Sequence, residues 1–243
     1  MIKTLLTVLT ALNLLGGSHA FGQYETAGLD LDGDLSEWYD RALGLESAKI
    51  FEGSYYDIGS PYVEQNQYFK GGQWATGTVI FDGQKYDNVD MLYNSFQDQL
   101  VVRNIALHFS IAQPTLPNQA RIDSFQIHGR RFVHLRGEQV PASGEGFYEH
   151  LFDGESIDFF VKRIKNEYIK SSELVYEEED KHFLYYNGQY IKFSGKNSIY
   201  KLNPEHKTAM KKAGQKTIIR LRLGEEDDLI LLLKQFDQLH SKP

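Results

Sequence analysis

Short apolar runs alternate with glycine-containing turns from residue 50 to residue 193. Thr78–Phe81 and Lys85–Tyr86 flank the pair Asp82–Gly83, and such a pair tolerates the positive φ angles of a two-residue hairpin turn. The pattern therefore predicts antiparallel strands joined by tight turns. Three more hairpin turns are predicted on the same grounds, at Asn187–Gly188, Asp153–Gly154 and Glu52–Gly53.

Further short runs are rich in the β-branched and aromatic residues that suit strands. Because the runs are consecutive and hairpin-linked, the expected fold class is mainly β with α (α+β), an antiparallel meander bent into a sandwich or open barrel. The runs are Met91–Tyr93, Gln99–Arg103, Ala106–Ile111, Ser124–His128, Arg131–Arg136 and Ser156–Arg163.

The periodicity changes after Gly195, and the C-terminal part predicts two or three short helices at about residues 203–240. Asn203, Pro204 and Glu205 supply an N-cap, a first-turn proline and a first-turn acid. Thr217–Arg222 predicts either a strand or a short helix, and we favour the helix. The acids of residues 225–228 precede an apolar run, and acids are favoured at the start of a helix by its macrodipole.

The first 20 residues have the order of an export signal. A lysine precedes the apolar stretch Leu5–Leu15, and Ser18–Ala20 offers small residues at the positions that a signal peptidase reads. We expect a signal peptide over residues 1–20, a turn and short helix over residues 21–49, and a single β-rich domain over residues 50–243.

Composition narrows the compartment and the partners. The chain contains no cysteine, which excludes disulfides, thiol nucleophiles and a lipoprotein anchor. No later apolar run approaches the roughly 20 residues of a membrane span. The net charge is −7, or −8 without Lys3, which disfavours nucleic acid. We expect a bacterial protein exported to the periplasm or the medium, with an envelope glycan, peptide or protein as its partner.

The stretch LDLDGDLSEWYD at residues 29–40 has the spacing of acids that suggests a calcium loop. An EF-hand that started at Asp30 would need glycine at its sixth position and glutamate at its twelfth, where Leu35 and Arg41 stand. We therefore interpret the stretch as a turn in which Asp34 or Ser36 caps a short helix.

The motifs of zinc proteases, serine hydrolases and nucleotide-binding loops are absent. His128 and His134 could face one side of a strand, but Gly129 interrupts it and two arginines adjoin. Asp153 and Glu155 are interpreted as turn residues. No catalytic residue, no metal ligand and no cofactor is predicted.

A dense aromatic set is the best candidate for ligand binding. Six rings occur within 20 residues, and aromatic faces on a β-surface can bind sugars or extended polymers; the alternative is that they close one end of the core. The six residues are Tyr55, Tyr56, Tyr62, Tyr68, Phe69 and Trp74.

Trp74, Gly77-Thr78-Val79, Phe81-Asp82-Gly83, Tyr86, Asn88-Val89 and Leu92-Tyr93 form the pattern W…GTV…FDGxxYxNV…LY. In this pattern the chain resembles a family of uncharacterised exported β-rich bacterial proteins, and the resemblance covers most of residues 50–240. It implies an envelope protein without an assigned activity. Asn94 stands where the family has an aspartate, so no role of that carboxylate carries over.

Three functions follow as hypotheses. The first is a non-catalytic cell-envelope protein that binds an extended ligand, either a glycan or a peptide. The second is an envelope hydrolase that uses a pair of carboxylates. The third is an open barrel that carries lipid in an apolar cavity.

Overall fold

The computed structural model describes residues 48–59, 65–104, 113–202, 208 and 226–240. All of them belong to one compact unit, Ser36–Pro243. Several predictions lie outside the described residues: the signal peptide, the stretch 29–40, the strand at Ala106–Ile111, and the helices beginning at Asn203 and Thr217.

Within the described residues, eleven strands form one open antiparallel sheet, which confirms the predicted β-rich fold class. A separate two-stranded ribbon, β10–β11, follows β9. The sheet order is β1-β5-β4-β3-β2-β6-β7-β8-β9-β12-β13. The strands are β1 Gly53–Tyr55, β2 Ala75–Phe81, β3 Gln84–Asn94, β4 Gln99–Arg103, β5 Pro114–Pro117, β6 Ile122–Ile127, β7 Arg130–Leu135, β8 Gly146–Asp153, β9 Ile157–Lys162, β10 Lys165–Lys170, β11 Glu173–Glu178, β12 Lys181–Tyr186 and β13 Gln189–Lys192.

Two of the predicted hairpin turns have the expected geometry. Asp82 and Gly83 have φ angles of 50° and 78°, and Asn187 and Gly188 have 50° and 77°. Both residues of each pair are left-handed, as a tight turn between twisted strands requires. His128 likewise lies in the turn before β7, with φ 51°.

The hairpin predicted at Glu52–Gly53 is wrong. Residues Lys49–Phe51 form a 3₁₀-helix, and β1 pairs with β5 instead. A side chain at Gly53 would collide with the backbone carbonyl of Leu116. This glycine therefore permits close approach of two strands and does not form a turn.

The sheet curls around an aromatic core. Phe125 and Phe132 stack with ring centroids 4.8 Å apart, and Tyr93 and Phe147 pack edge to face at 6.2 Å. Tyr93 belongs to β3 and Phe147 to β8, which lie four strands apart in the sheet order. The side chains of this core fill the concave side of strands β2 to β8.

Two described helices follow the sheet strands, α1 at Lys196–Leu202 and α2 at Glu226–His240. Leu229, Leu232, Leu233 and Phe236 are buried at helical spacing and pack with strand residues such as Phe159. The apolar run after the acids of residues 225–228 is therefore a helix, as predicted. No helix in the described part of the chain is long and apolar enough to cross a membrane.

Candidate functional site

The side of the sheet opposite α2 carries a second aromatic cluster. On β9, Phe159 and Val161 face the helices, so the alternation of the strand turns Phe160 the other way. All described members of this cluster come from strands. We call this side of the sheet the aromatic face and define it by the buried Tyr148, Phe160 and Phe183 and the half-buried Tyr185 and Tyr190.

The strand register places four side chains in one row across this face. Asp153 of β8 is opposite Asp158 of β9, Asp158 is opposite Tyr185 of β12, and Tyr185 is opposite Tyr190 of β13. Three strand spacings of about 4.8 Å make the row roughly 14 Å long. Two carboxylates and two phenols thus lie side by side on one surface.

The two tyrosines of the row are half-buried, with ring centroids 4.7 Å apart and an interplanar angle of 46°. Burial raises the pKa of Tyr190, and the neighbouring Tyr185 and Asp158 add to the rise. The phenol of Tyr190 is therefore a neutral hydrogen-bond donor at ordinary pH.

His150 lies beside the row and hydrogen-bonds to it. Its Nε2 is 3.1 Å from a carboxylate oxygen of Asp158, and its ring stacks on Phe160 with centroids 4.5 Å apart at 13°. His150, Asp153 and Asp158 offer ligand atoms that all lie within 4.8 Å of one another. The imidazole and two carboxylates form a compact polar cluster at the edge of the aromatic face.

A β-bulge creates this cluster. His150 pairs with Phe160 and Phe152 pairs with Phe159, so Leu151 is an extra residue in β8. In a regular strand His150 and Asp153 would point to opposite sides, because three is an odd spacing. The bulge brings both to the side of Asp158.

The sequence did not predict this cluster. The pattern of residues predicts Asp153 only as a turn residue and indicates no role for His150. The signal available in the chain is a histidine three residues before Asp153, with Asp158 beyond the turn. That spacing becomes informative only once the bulge is known.

An ion-pair network lies on the helix side of the same strands. The buried carboxylate of Glu149 is 2.5 Å from Arg163 and 2.8 Å from Arg130. Arg163 also contacts Asp180 at 2.5 Å and Glu226 at 2.7 Å. Burial alone would lower the pKa of Arg163, but the three carboxylates raise it overall. The network ties the first turn of α2 to β8 and β9.

This network gives no support to a carboxylate-pair hydrolase. Arginine side chains bridge Glu149 and Glu226, whereas a glycosidase pair flanks the scissile bond of a substrate. The adjoining cavity measures about 70 Å³, much smaller than a usual ligand pocket of roughly 300 Å³ or more. Charged residues such as Lys70, Lys165 and Asp180 line it, unlike a lipid cavity.

The aromatic set predicted from the sequence is divided among different environments. Phe69 belongs to the concave core, while Tyr56, Tyr68 and Trp74 belong to a separate cluster on the other side of the sheet. Tyr68 is buried and donates a hydrogen bond from its hydroxyl to the Ile58 carbonyl at 3.0 Å. Tyr55 is 68% exposed, and Tyr62 lies outside the described residues.

Trp74 is half-buried beneath the guanidinium of Arg103, 4.4 Å from its ring. Tyr56 donates a hydrogen bond to Gln97 at 2.9 Å. The described members of the set therefore do not share one surface. A ligand-binding role for Tyr55, Tyr56 and Trp74 stays a prediction.

No protein-family model, no curated protein and no solved structure matches this chain. The resemblance of residues 50–240 to exported bacterial proteins therefore stays a prediction. The function is therefore inferred from the geometry of the aromatic face and its polar row.

Proposed function

We propose that the protein is an exported, non-catalytic binding protein of the cell envelope and that its aromatic face binds a glycan chain. The row of Asp153, Asp158, Tyr185 and Tyr190 carries the proposal. Export rests on the order of residues 1–20 and is part of the proposal.

The chemistry of the row suits a sugar chain. A pyranose ring has an apolar face of C–H groups and a rim of hydroxyls. The half-buried rings of Tyr185 and Tyr190 offer flat apolar surface with a polar edge. The carboxylates of Asp153 and Asp158 accept hydrogen bonds, which hydroxyl groups can donate.

The dimensions of the row favour an extended ligand over a small molecule. A row of roughly 14 Å spans two or three sugar units, and it lies on a sheet surface and not in a pocket. An acidic chain of net charge −7 disfavours nucleic acid as the extended ligand. The row's two carboxylates also favour a neutral or amino sugar over an acidic polymer.

The proposal is tested by calorimetric titration of the purified protein with neutral, amino-sugar and acidic oligosaccharides of two to six units. We expect binding of a neutral or amino-sugar oligomer that strengthens up to about three units. The double variant Tyr185→Ala and Tyr190→Ala should lose at least about tenfold in affinity, since two stacking surfaces disappear.

The matched control is Tyr168→Ala, which removes a partly exposed tyrosine from the β10–β11 ribbon and should bind as the wild type does. Tyr55→Ala tests the surface predicted from the sequence. Unchanged affinity in the double variant, or binding lost only through Tyr55, would place the ligand elsewhere. Binding of unstructured peptides in preference to every glycan would contradict the glycan proposal.

A further inference from the structure

We propose that His150, Asp153 and Asp158 bind a divalent first-row transition metal ion, with zinc favoured over manganese and calcium. The three residues lie at the hairpin between β8 and β9, on the side of the aromatic face. The inference concerns the ion alone and does not depend on glycan binding.

The donor set fits this class of ion. One imidazole nitrogen and two carboxylate oxygens suit zinc, iron or manganese, whereas calcium needs six to eight oxygen ligands. Among divalent ions at such a site the general order of affinity places zinc above manganese. Three protein ligands leave at least one coordination position for water or another donor.

The distances are close to those a bound ion requires. Bonds of about 2.0–2.1 Å in tetrahedral geometry place neighbouring ligand atoms roughly 3.3 Å apart. The Nε2 of His150 and an oxygen of Asp158 are already separated by 3.1 Å. The ligand atom of Asp153 lies within 4.8 Å of the other two, so a movement of about 1.5 Å or less by Asp153 would complete the geometry.

Asp153 is the ligand that can move at little cost. Its side chain is 72% exposed at the end of β8, and its ion pair with Arg131 is long, at 3.9 Å. Exposed pairs of this kind contribute little to stability. Replacing the contact with Arg131 by a bond to a metal ion should therefore cost very little stability.

The other two ligands are held in place before the ion arrives. Stacking on Phe160 fixes the plane of the His150 ring, and the Asp158 carboxylate is only 23% exposed between two strands. The bulge at Leu151 sets the direction of His150. A rigid pair of ligands with one adaptable third ligand is preorganised for capture of an ion.

The charge of the cluster also favours a cation. The cluster contains two carboxylates, and among the described residues Arg131 is the cationic group in contact with Asp153. A divalent ion would neutralise both carboxylates at once. Among the side-chain hydrogen bonds of the described residues, the Asp158 carboxylate takes part in the one with His150.

The test is calorimetric titration of the chelator-treated mature protein with zinc, manganese and calcium chlorides. We expect one equivalent of zinc bound with micromolar affinity, weaker manganese and no resolved heat with calcium. His150→Gln and Asp158→Asn should each weaken zinc binding at least about 100-fold, and Asp153→Asn about tenfold or more.

Two matched controls remove equivalent groups elsewhere. His128→Asn replaces a histidine in the turn before β7, where asparagine tolerates the positive φ angle, and Asp87→Asn replaces an exposed carboxylate of β3. Both should keep wild-type zinc affinity. Asp153→Asn changes an exposed side chain, so this variant keeps the test valid if His150→Gln fails to fold.

The visible absorption of bound cobalt reports on the ligands directly, and a purely structural role of the three residues would not produce it. Cobalt bound by the three residues should give visible absorption of a four- or five-coordinate ion, and this signal should vanish in Asp153→Asn with the far-UV circular dichroism unchanged. Zinc affinity weaker than millimolar in the wild type, or equal affinity in wild type and all three ligand variants, would overturn the proposal.

Discussion

The Lys162 ammonium contacts the Asp98 carboxylate, although the two residues are 64 positions apart in the chain. Lys162 ends β9, and Asp98 lies in the turn between β3 and β4. The same carboxylate accepts hydrogen bonds from the Tyr93 hydroxyl at 2.6 Å and from the Phe147 N–H at 3.2 Å. These contacts join the turn between β3 and β4 to β8 and β9, beside the aromatic core.

Removing Asp98 should leave a buried cation without its partner. We expect Asp98→Ala to lower the free energy of unfolding by about 3 kcal/mol, the lower end for breaking a buried pair, because Asp98 retains some contact with water. Urea denaturation measures the change. Adding Lys162→Met should recover part of the loss, and a double variant no more stable than Asp98→Ala would contradict this account.

Gly146, which begins β8, should be intolerant of a side chain. Its φ angle is +132°, and an added Cβ would collide with the carboxylate of Asp98 and the ammonium of Lys162. We expect Gly146→Ala to cost about 3 kcal/mol in the free energy of unfolding, from backbone strain and overpacking together.

Gly144→Ala is the matched control for that variant, because Gly144 has φ +83° and open space around it. Backbone strain alone should cost about 1 kcal/mol there. The difference between the two midpoints in urea isolates the steric collision with the Asp98–Lys162 pair. Equal losses in both variants would show that the collision is relieved without cost.

The Arg163 network should hold α2 on the sheet. Arg163→Ala removes a partner from the buried Glu149, so we expect a loss of about 3–5 kcal/mol in stability. The variant should also increase the amide hydrogen-exchange rates of α2 more than those of β6 and β7. Lys85→Ala, which breaks an exposed pair with Asp87, should change stability by no more than about 0.5 kcal/mol.

Alkaline pH should destabilise the fold through its buried phenols. Burial raises the pKa of Tyr68, Tyr93 and Tyr148 in the folded protein, while an unfolded tyrosine titrates near 10. A pKa raised by folding contributes stability that is complete below about pH 10 and is lost as the pH rises further. Burial lowers the pKa of Lys162 and Lys165, which acts in the opposite direction.

The expected result is a urea midpoint that falls steadily above about pH 10, with at least three tyrosines ionising only as the chain unfolds. Tyrosinate absorbance and far-UV circular dichroism are recorded together against pH. The comparison distinguishes tyrosines that ionise in the folded protein from tyrosines that ionise only on unfolding. Ionisation of all tyrosines in one step before any change in circular dichroism would contradict the prediction.

Local signals in the sequence predicted the parts of the fold that depend on neighbouring residues. Asp82–Gly83 and Asn187–Gly188 form tight turns because both residues of each pair accept positive φ. The acids before Leu229 mark the start of α2 for an equally local reason. The β10–β11 ribbon escaped prediction because Ser171 and Ser172 form its turn without a glycine, at φ angles of 50° and 68°.

Other features depend on residues far apart in the chain. The sequence around Gly53 predicts a turn, and only the position of Leu116 beside it shows the close approach of two strands. Likewise, nothing near Asp98 in the sequence indicates its contact with Lys162. The six aromatic residues from Tyr55 to Trp74 are close in sequence, yet the sheet separates those that the structure describes. The row of Asp153, Asp158, Tyr185 and Tyr190 requires the register of four strands, which composition does not provide.

The bulge at Leu151 lets a histidine and an aspartate that stand three residues apart lie on the same side of β8. Deleting Leu151 would restore regular pairing with β9 and leave His150 and Asp153 two residues apart, still on the side of Asp158. A regular strand that kept Leu151 would instead turn one of the two away from Asp158. In evolutionary terms, the hairpin could lose this codon and keep its three side chains together, whereas substitutions that favour regular pairing at full length would separate them.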